Sequence, residues 1–337
     1  MVEIQKPPPK RSAAGWADTH RTLPRGSAEP GAWKSSRTPY FIPIYDAFTN
    51  PDYRMVIIAS GSQLGKTEAV LNVLGHRFSD GPFVPALMVC PTEKLARSMS
   101  RDRFDKMLAT TPTLWDRLKK GHANKVTEKM IGGLRMGFAW SGSPTELASH
   151  PAGLVMVDEL DRMDADSGNE GDPVTLARAR TRTYPNAKIG VFSTPTIEGG
   201  SPIWSLYEEG TMGKWSWSCP DCDDWFTPQL EYLWWPEKST PQQAFDAARM
   251  VCPNCGTQIE NHHKSEMNRN GAYLYHRFNE SGEHVLLDDP LTPVPCRTAS
   301  FWISGIASPW QSFGEIAEVM VAAYRSKEDS RIQAAMN

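Results

Sequence analysis

Apolar residues along this chain come in two rhythms. Short continuous runs, "MVIIAS" (55–60), "PALMVCPT" (85–92), "LRMGFAW" (134–140), "GLVMVDEL" (153–160) and "AKIGVFSTPT" (187–196), have the length and composition of buried strands. Between them the pattern is helical. "TEAVLNVLGHRFSDG" predicts a helix with Gly81 beyond its end, and "EKLARSMSRDRFDKMLATTP" a long amphipathic helix closed by Pro112. "SPTELAS" reads as a short helical turn and "VTLARARTRTY" as a further helix. Strands apolar on both faces that alternate with helices predict a parallel sheet covered on both sides, over roughly residues 40–212. Upstream, "TPYFIPIYDAFTNPDYR" predicts a short helix and a turn at Asn50-Pro51. Residues 1–36 carry Pro-Pro-Pro, several Lys and Arg and little periodicity, and read as a flexible arm. Beyond 212 come Trp-rich segments, paired cysteines and a final helix at "SFGEIAEVMVAAYRSKEDS", with no internal repeat.

Composition narrows the class rather than naming it. The 337 residues, 40% hydrophobic and 22% charged, allow one large domain or two smaller ones and exclude a disordered chain. A formal charge of −3 gives no global basic signature, although a basic channel or patch on a neutral protein remains compatible with nucleic acid. No run approaches the roughly 18 apolar residues of a membrane span, and the N-terminus has no signal-peptide core, so the expectation is a soluble intracellular protein.

Chemistry enters at "IIASGSQLGKTEAV", residues 57–70, where a buried strand breaks into a polar loop and turns helical at Gly65-Lys66-Thr67. That order is a phosphate loop: N–H groups and a helix N-terminus surround phosphates with partial positive charge. Ser60, Gly61, Ser62, Gln63, Leu64 and Gly65 would line the phosphates, Lys66 would reach the terminal ones, and the Thr67 hydroxyl would bind Mg²⁺. The pattern G-x-x-x-x-G-K-[ST] calls for glycine at 60, where Ser60 stands and Gly61 follows. Read alone, the stretch is equally a helix entered through a flexible turn. About ninety residues on, "GLVMVDEL" ends a strand in two adjacent carboxylates. Asp158 is placed to hold Mg²⁺ through water and Glu159 to polarise an attacking water, which favours hydrolysis over phosphoryl transfer to a second substrate. The strand "VFSTPT" then offers Ser193 and Thr194 to sense the γ-phosphate, or simply to cap a strand end.

The loop brings no arginine of its own. Arg97, Arg101 and Arg103 on one helix and Arg178, Arg180 and Arg182 on another are candidates for the developing charge, for DNA phosphates, or for solvent. Cys219-Pro-Asp-Cys222 and Cys252-Pro-Asn-Cys255-Gly256, separated by 29 residues, are two tight turns whose four thiolates predict a closed, structural Zn²⁺ site. Gly256 suits positive φ in the second turn and Asp223 follows the first. Free thiols or a redox pair are the alternatives; His262, His263 and His276 are spare ligands, Cys90 reads as core, and Cys296 is unassigned.

Together these segments, with "SAEPGAWKSSRTPY", "CPTEKLARSMSRDRFDKML", "VDELDRMD", "EGDPVTLARARTRTYPNAKIGVFSTPT", "CPDC…CPNCG" and "GIASPWQSFGEIAEVMVAAY", resemble the ATPase part of the large terminase subunit of tailed bacteriophages, the lambda GpA-like family. The likeness runs from about residue 27 to the end. It implies an α/β P-loop NTPase of the ASCE/RecA-like type, a mostly parallel sheet flanked by helices, with a C-terminal zinc-binding subdomain built on the four paired cysteines. By that resemblance Lys66 and Thr67 bind ATP and Mg²⁺, Asp158 and Glu159 are the metal and catalytic carboxylates, and Ser193-Thr194 lie in a coupling motif. An aromatic before the first strand stacks adenine in such motors; Tyr40 is the candidate, with Tyr45 next. The implied activity is ATP hydrolysis coupled to translocation of double-stranded DNA into a procapsid. The implied partners are a small terminase subunit, a portal protein and further copies in a ring, in the host cytoplasm with no membrane. The expected organisation is an arm at 1–36, an ATPase core at 37–212, a Trp-rich zinc segment at 213–300 and a helical segment at 301–337. That last segment would lead toward a nuclease domain that this chain lacks. A helicase-type ATPase would need a second RecA-like domain, of which the pattern shows none; a zinc-stabilised adaptor with a vestigial loop is the non-enzymatic alternative.

Overall fold

A computed structural model describes residues 11–118, 124–148, 151–164, 171–196 and 200–326. They belong to two compact units. The first comprises Met1–Ser35, Phe41–Val56 and Gly65–Ser193; the second comprises Ser36–Tyr40, Ile57–Leu64 and Thr194–Asn337. The division falls at Ser193 rather than near residue 212, because Thr211 and Gly213–Ser218 are hydrogen-bonded to the Thr298–Ile303 strand of the second unit.

In the first unit the expected runs are strands, paired in the order Lys188–Ser193, Leu154–Asp158, Ala86–Cys90, Leu134–Trp140, Glu128–Ile131. The first three pairings are parallel and the last is antiparallel. Lys188–Ser193, Leu154–Asp158 and Ala86–Cys90 are buried at every position, as apolar runs without alternation require. The fold is α/β with a mostly parallel sheet. The Arg54 carbonyl accepts a bond from Ile189 N–H at 3.0 Å, which fixes the start of the Met55–Ser60 strand. The long predicted helix is Glu93–Ser98 and Asp105–Thr110 joined by a wider, π-type segment at Met99–Phe104. It ends at extended Thr111 before Pro112, which then opens the short turn Pro112–Trp115.

Residues 13–20, expected in a flexible arm, form a helix instead. Ser12 caps it by accepting the Gly15 N–H at 3.2 Å, and Trp16 is wholly buried against Gly75 of the Lys66–Ser79 helix. A Cβ at Gly75 would lie 2.0 Å from the indole, so the glycine is the notch that admits it. The neighbouring Pro-Pro-Pro and basic residues hid a short alanine-rich helix of eight residues with one large anchor. Residues 1–10 lie outside the described part. Trp16→Ala is expected to lower stability by about 3–5 kcal/mol in urea melts, the usual loss for truncating a buried aromatic; a change under about 1 kcal/mol would return the segment to the status of an arm.

The second unit has a sheet ordered His284–Leu286, Ala272–Phe278, Gly213–Ser218, Thr298–Ile303, antiparallel except for its last pairing. Its core is polar at one point. Trp215 and Trp217 both donate their indole N–H to Asn268 Oδ1, at 3.2 and 2.9 Å, and Asn268 donates to the Ala307 carbonyl. Three very short strands, Leu233–Trp234, Arg249–Val251 and Gln258–Ile259, form a separate small sheet. The Phe313–Ser326 helix packs on Pro241–Ala247, with Gly314 at the crossing. Of the helical segment expected at 301–337, Phe301–Ile303 end a strand and 327–337 lie outside the described residues. No described helix is long and apolar enough to cross a membrane.

Candidate functional site

The phosphate loop is divided between the units, Ile57–Leu64 in the second and Gly65 onward in the first. Within the second unit the departure from the loop pattern has a steric explanation. Ser60 is the buried last residue of its strand, in a conformation open to any side chain, and the close backbone approach occurs one residue later. Gly61 donates to the Ile303 carbonyl at 3.0 Å, and a Cβ on it would meet the Gly305 backbone at 2.6 Å. Two further residues bend the loop through left-handed conformations, Gln63 at φ 54° and Gly65 at φ 89°. Ser308 donates to the Gln63 carbonyl at 3.3 Å and Tyr40 to the Leu64 carbonyl at 2.9 Å, fixing its outline.

Tyr40 is therefore an anchor of the loop. Its ring is 0% exposed and sits edge-on to Trp215, so no face is open to a base. Tyr45 is also buried, with its hydroxyl accepting from Asn72 at 2.9 Å. Thr194 shares with Gly61, Ser62 and Gln63 the wall of a cavity of about 520 Å³, in which Lys214 is the one charged residue. Lys214 escapes a sequence reading because a lysine in a Trp-rich strand carries no motif.

Within the first unit, Lys66 opens the Lys66–Ser79 helix and is 8% exposed. Burial lowers its pKa, while Glu159 and Asp158 act to raise it, so the ammonium and both carboxylates share one field. Asp158 ends its strand opposite Phe192, and Glu159 turns into the left-handed region at φ 57°, its N–H held by the Phe192 carbonyl at 2.7 Å. That reversal is how two consecutive carboxylates, which a continuing strand would send to opposite faces, both stay near Lys66. Asp158 Oδ1 is buried with no hydrogen-bond partner, and the buried Glu159 Oε2 makes no hydrogen bond either, its charged neighbour being Arg162 Nε at 3.5 Å. The orphaned Asp158 oxygen is what a hard cation requires, Glu159 keeps acceptor capacity for a bound water, and Thr67 follows Lys66 with the hydroxyl that Mg²⁺ favours. Here the residues fit the ion.

Burial, followed by the neighbouring Glu159, pushes the Asp158 carboxyl up to about 7. The folded state then binds more protons at Asp158 than the unfolded chain between roughly pH 4 and pH 7, so this group's contribution falls as pH rises through that window. Asp158→Asn is expected to be more stable than the parent at pH 8 without metal or nucleotide, by on the order of 2–4 kcal/mol, and equal to it at pH 4. Urea melts at the two pH values decide; equal stability at pH 8 would mean that the carboxylate is already compensated.

Of the arginines expected near the loop, Arg97 pairs with Glu93 and Arg103 with Glu68, while Arg101 and Arg182 are exposed. Arg178 packs on the Met55 sulfur, five residues and some ~16 Å before the end of the loop strand. Arg180 is partly buried at the end of its helix, its carbonyl bonded to Ala152 N–H. The arginine that does share the field of Lys66 and Asp158 is Arg162, paired with Glu159 at 3.5 Å. It stands three residues past Glu159 in "DELDR", and only that i,i+3 spacing could have marked it. Ser193 accepts the Asp161 N–H at 3.0 Å, so the expected coupling residue grips the segment that carries Glu159.

The cysteines form a second centre, in the second unit. Cys219 Sγ lies 3.8 Å from Cys255 Sγ and Cys222 Sγ 3.9 Å from Cys252 Sγ, and all four lie within 4.8 Å of one another. Zn–S bonds of about 2.3 Å in a tetrahedron put sulfurs about 3.8 Å apart, so the set fits. Both turns share one geometry. Asp223 (φ 60°) returns its N–H to the Cys219 carbonyl at 3.0 Å, and Gly256 (φ 77°) to Cys252 at 2.9 Å. Hydrogen bonds from Thr257 lower the Cys255 thiol to about 7, toward the thiolate a metal takes. His262 pairs with Glu260 and His276 bonds to the Leu274 carbonyl; among the described residues the metal-competent group is the four cysteines alone. Cys90 is buried, and Cys296 lies half-exposed near the Glu209 carbonyl.

The family model of the phage terminase large subunit gpA, ATPase domain, matches residues 27–273. The chain belongs to that family. Among solved structures, the HK97 bacteriophage large terminase matches with a TM-score of 0.46 at 16% identity, over 58% of this chain and 40% of its own. The Thermus phage P74-26 large terminase ATPase domain matches with a TM-score of 0.33 at 14% identity, over 47% of this chain and 65% of its own. The chain thus spans less than half of the HK97 protein. No curated protein matches the sequence.

Proposed function

We propose that this chain is the ATP-hydrolysing motor part of a DNA-packaging terminase, moving double-stranded DNA into a procapsid. The observation that carries it is the electrostatic convergence of buried Lys66 on Glu159 and on Asp158, whose Oδ1 is buried and orphaned, in a member of the gpA ATPase-domain family. Loop amides of Ser60–Gly65 and the Lys66 ammonium bind the β- and γ-phosphates. Thr67 and Asp158 hold Mg²⁺, which when bound would neutralise charge developing on the phosphates. Glu159 accepts a hydrogen bond from water and orients it for in-line attack on the γ-phosphorus. Ser193 ties the loop after Glu159 to its strand end, a route by which loss of the γ-phosphate reaches Thr194 and the second unit's sequence. The four-cysteine centre holds a structural Zn²⁺ and takes no part in hydrolysis. Duplex DNA, a small terminase subunit, a portal and further copies of the chain in a ring are the partners of this reading, in the host cytoplasm. The test is phosphate release from ATP with and without duplex DNA. The parent is expected to turn over and to be stimulated by DNA; an inactive parent, or one that Lys66→Ala leaves unchanged, removes the enzymatic reading.

A further inference from the structure

The first unit contains a second concentration of charge that the nucleotide chemistry does not use. A cavity of about 500 Å³ is lined by Arg11, Arg54, Arg77 and Lys188, with Asp80 the one carboxylate in its wall. Lys188 starts the strand whose other end is Ser193, so this cavity lies at the opposite strand ends from Glu159, which is bonded beside Phe192.

Each cation is held differently. Arg77, in the last turn of the Lys66–Ser79 helix, is 5% exposed, its Nε has no hydrogen-bond partner, and burial alone lowers its pKa to about 10. Lys188 donates to the Asn50 and Tyr53 carbonyls, and burial, then Arg77 and Arg54, bring it down to about 8 against the opposing charge of Asp52. Arg54 reaches the Ala187 carbonyl at 3.5 Å, and Arg11 pairs with Asp80 at 3.4 Å at the rim. His76 points Nε2 at the Arg11 carbonyl, and burial lowers its pKa, so it adds no charge.

A buried guanidinium without a carboxylate is costly, and two more cations crowd it. Helices and strands with no need of charge there would carry an apolar side chain. Cations gathered around an open cavity, rather than apolar side chains filling it, point to an anion. Four cations against Asp80 in the wall and Asp52 beside Lys188 leave an excess of two, which favours a multiply charged ligand over a single carboxylate. The planar fork of Arg77 suits phosphate oxygens, and its depth behind the rim suits a compact ligand rather than the side of a duplex. We propose that this cavity is a second anion site, taking a compact di- or polyphosphate, separate from the phosphate loop and independent of whether the nucleotide reading holds.

The test uses the full chain carrying Lys66→Ala, so that the phosphate loop is disabled, and follows thermal unfolding in pyrophosphate against chloride at matched ionic strength. Pyrophosphate is expected to raise the melting temperature by about 2–5 °C, and Arg77→Met added to that background to abolish the rise. Without pyrophosphate, Arg77→Met is expected to melt no lower than its parent, which separates lost binding from lost folding. Arg54→Gln, nearer the surface, is expected to halve the response or more, and serves if Arg77→Met does not fold. Equal responses in these variants and their parent overturn the proposal, as does a parent indifferent to pyrophosphate. Protection by a duplex oligonucleotide that needs Arg77, with none from pyrophosphate, also overturns it in favour of nucleic acid.

Discussion

Glu159→Gln is expected to bind ATP as the parent does and to hydrolyse it on the order of 10³-fold more slowly, the scale of losing one preorganised group aimed at the reacting centre. Glutamine keeps the size of the side chain and the N–H bond to Phe192, so the strand tip is expected to keep its left-handed turn. What disappears is the anionic acceptor for water, since an amide oxygen is a far weaker base. Binding is expected to survive because, in the proposed site, the loop amides and Lys66 would meet the phosphates independently of Glu159. Lys66→Ala gives the opposite split, with nucleotide affinity and turnover falling together. Equilibrium binding of a fluorescent ATP analogue beside single-turnover hydrolysis separates the two. Should Glu159→Gln release phosphate at the parent's rate, the water-orienting role belongs elsewhere, and Asp161, two residues on, would be the next carboxylate to examine.

Loss of the zinc proposed for the cysteine centre is the second large expected effect. Cys219→Ser with Cys252→Ser is expected to abolish zinc binding and to destabilise the second unit by several kcal/mol. Isolated zinc modules gain about 10–16 kcal/mol from the ion, an upper limit where the turns are embedded in a larger unit. The dependence follows from how little else holds this region. Its small sheet consists of strands of two and three residues, too short to persist unaided. Each cysteine turn closes through a residue at positive φ, Asp223 being the more strained because it carries a side chain. Among the described residues the cysteine segments are pinned by two exposed bonds, the Thr257 hydroxyl on Asp221 at 2.6 Å and the Asn254 amide on the Trp225 carbonyl at 3.4 Å. One zinc per parent chain by elemental analysis, none in the double variant, and a lowered melting temperature are the expected results. A parent that holds no zinc yet melts like the variant would make these four sulfurs a packed cluster of thiols.

Much of the chemistry was legible along the chain because it is local. Lys66 and Thr67 follow directly from a strand, a glycine-bearing loop and a helix start. Asp158 and Glu159 are adjacent at the end of an apolar run. The cysteines announce themselves by spacing within two turns. In each case backbone geometry over a few residues brings the side chains together, and a period or a spacing encodes that geometry. The strand order and the division at Ser193 were not encoded in this way.

Other features depend on residues that meet only after folding. Why glycine is needed at 61 and dispensable at 60 is set by Gly305, more than 240 positions away in the same unit. Tyr40 had the right position for a base-stacking aromatic, yet its ring is buried edge-on to Trp215, and burial of a ring is decided by its neighbours, not its place in a motif. Arg162 joined the site through the turn at Glu159, while Arg178 was carried to the far end of the loop strand. Arg11, Arg54, Arg77 and Lys188 are unremarkable singly and surround a common space only once strand, helix and N-terminal segment have packed. The sequence by itself determined which reactive groups exist and how neighbouring ones are aimed. The tertiary structure decided which distant charges share a low-dielectric space, because field strength depends on separation and solvent exclusion, and neither is written in chain order.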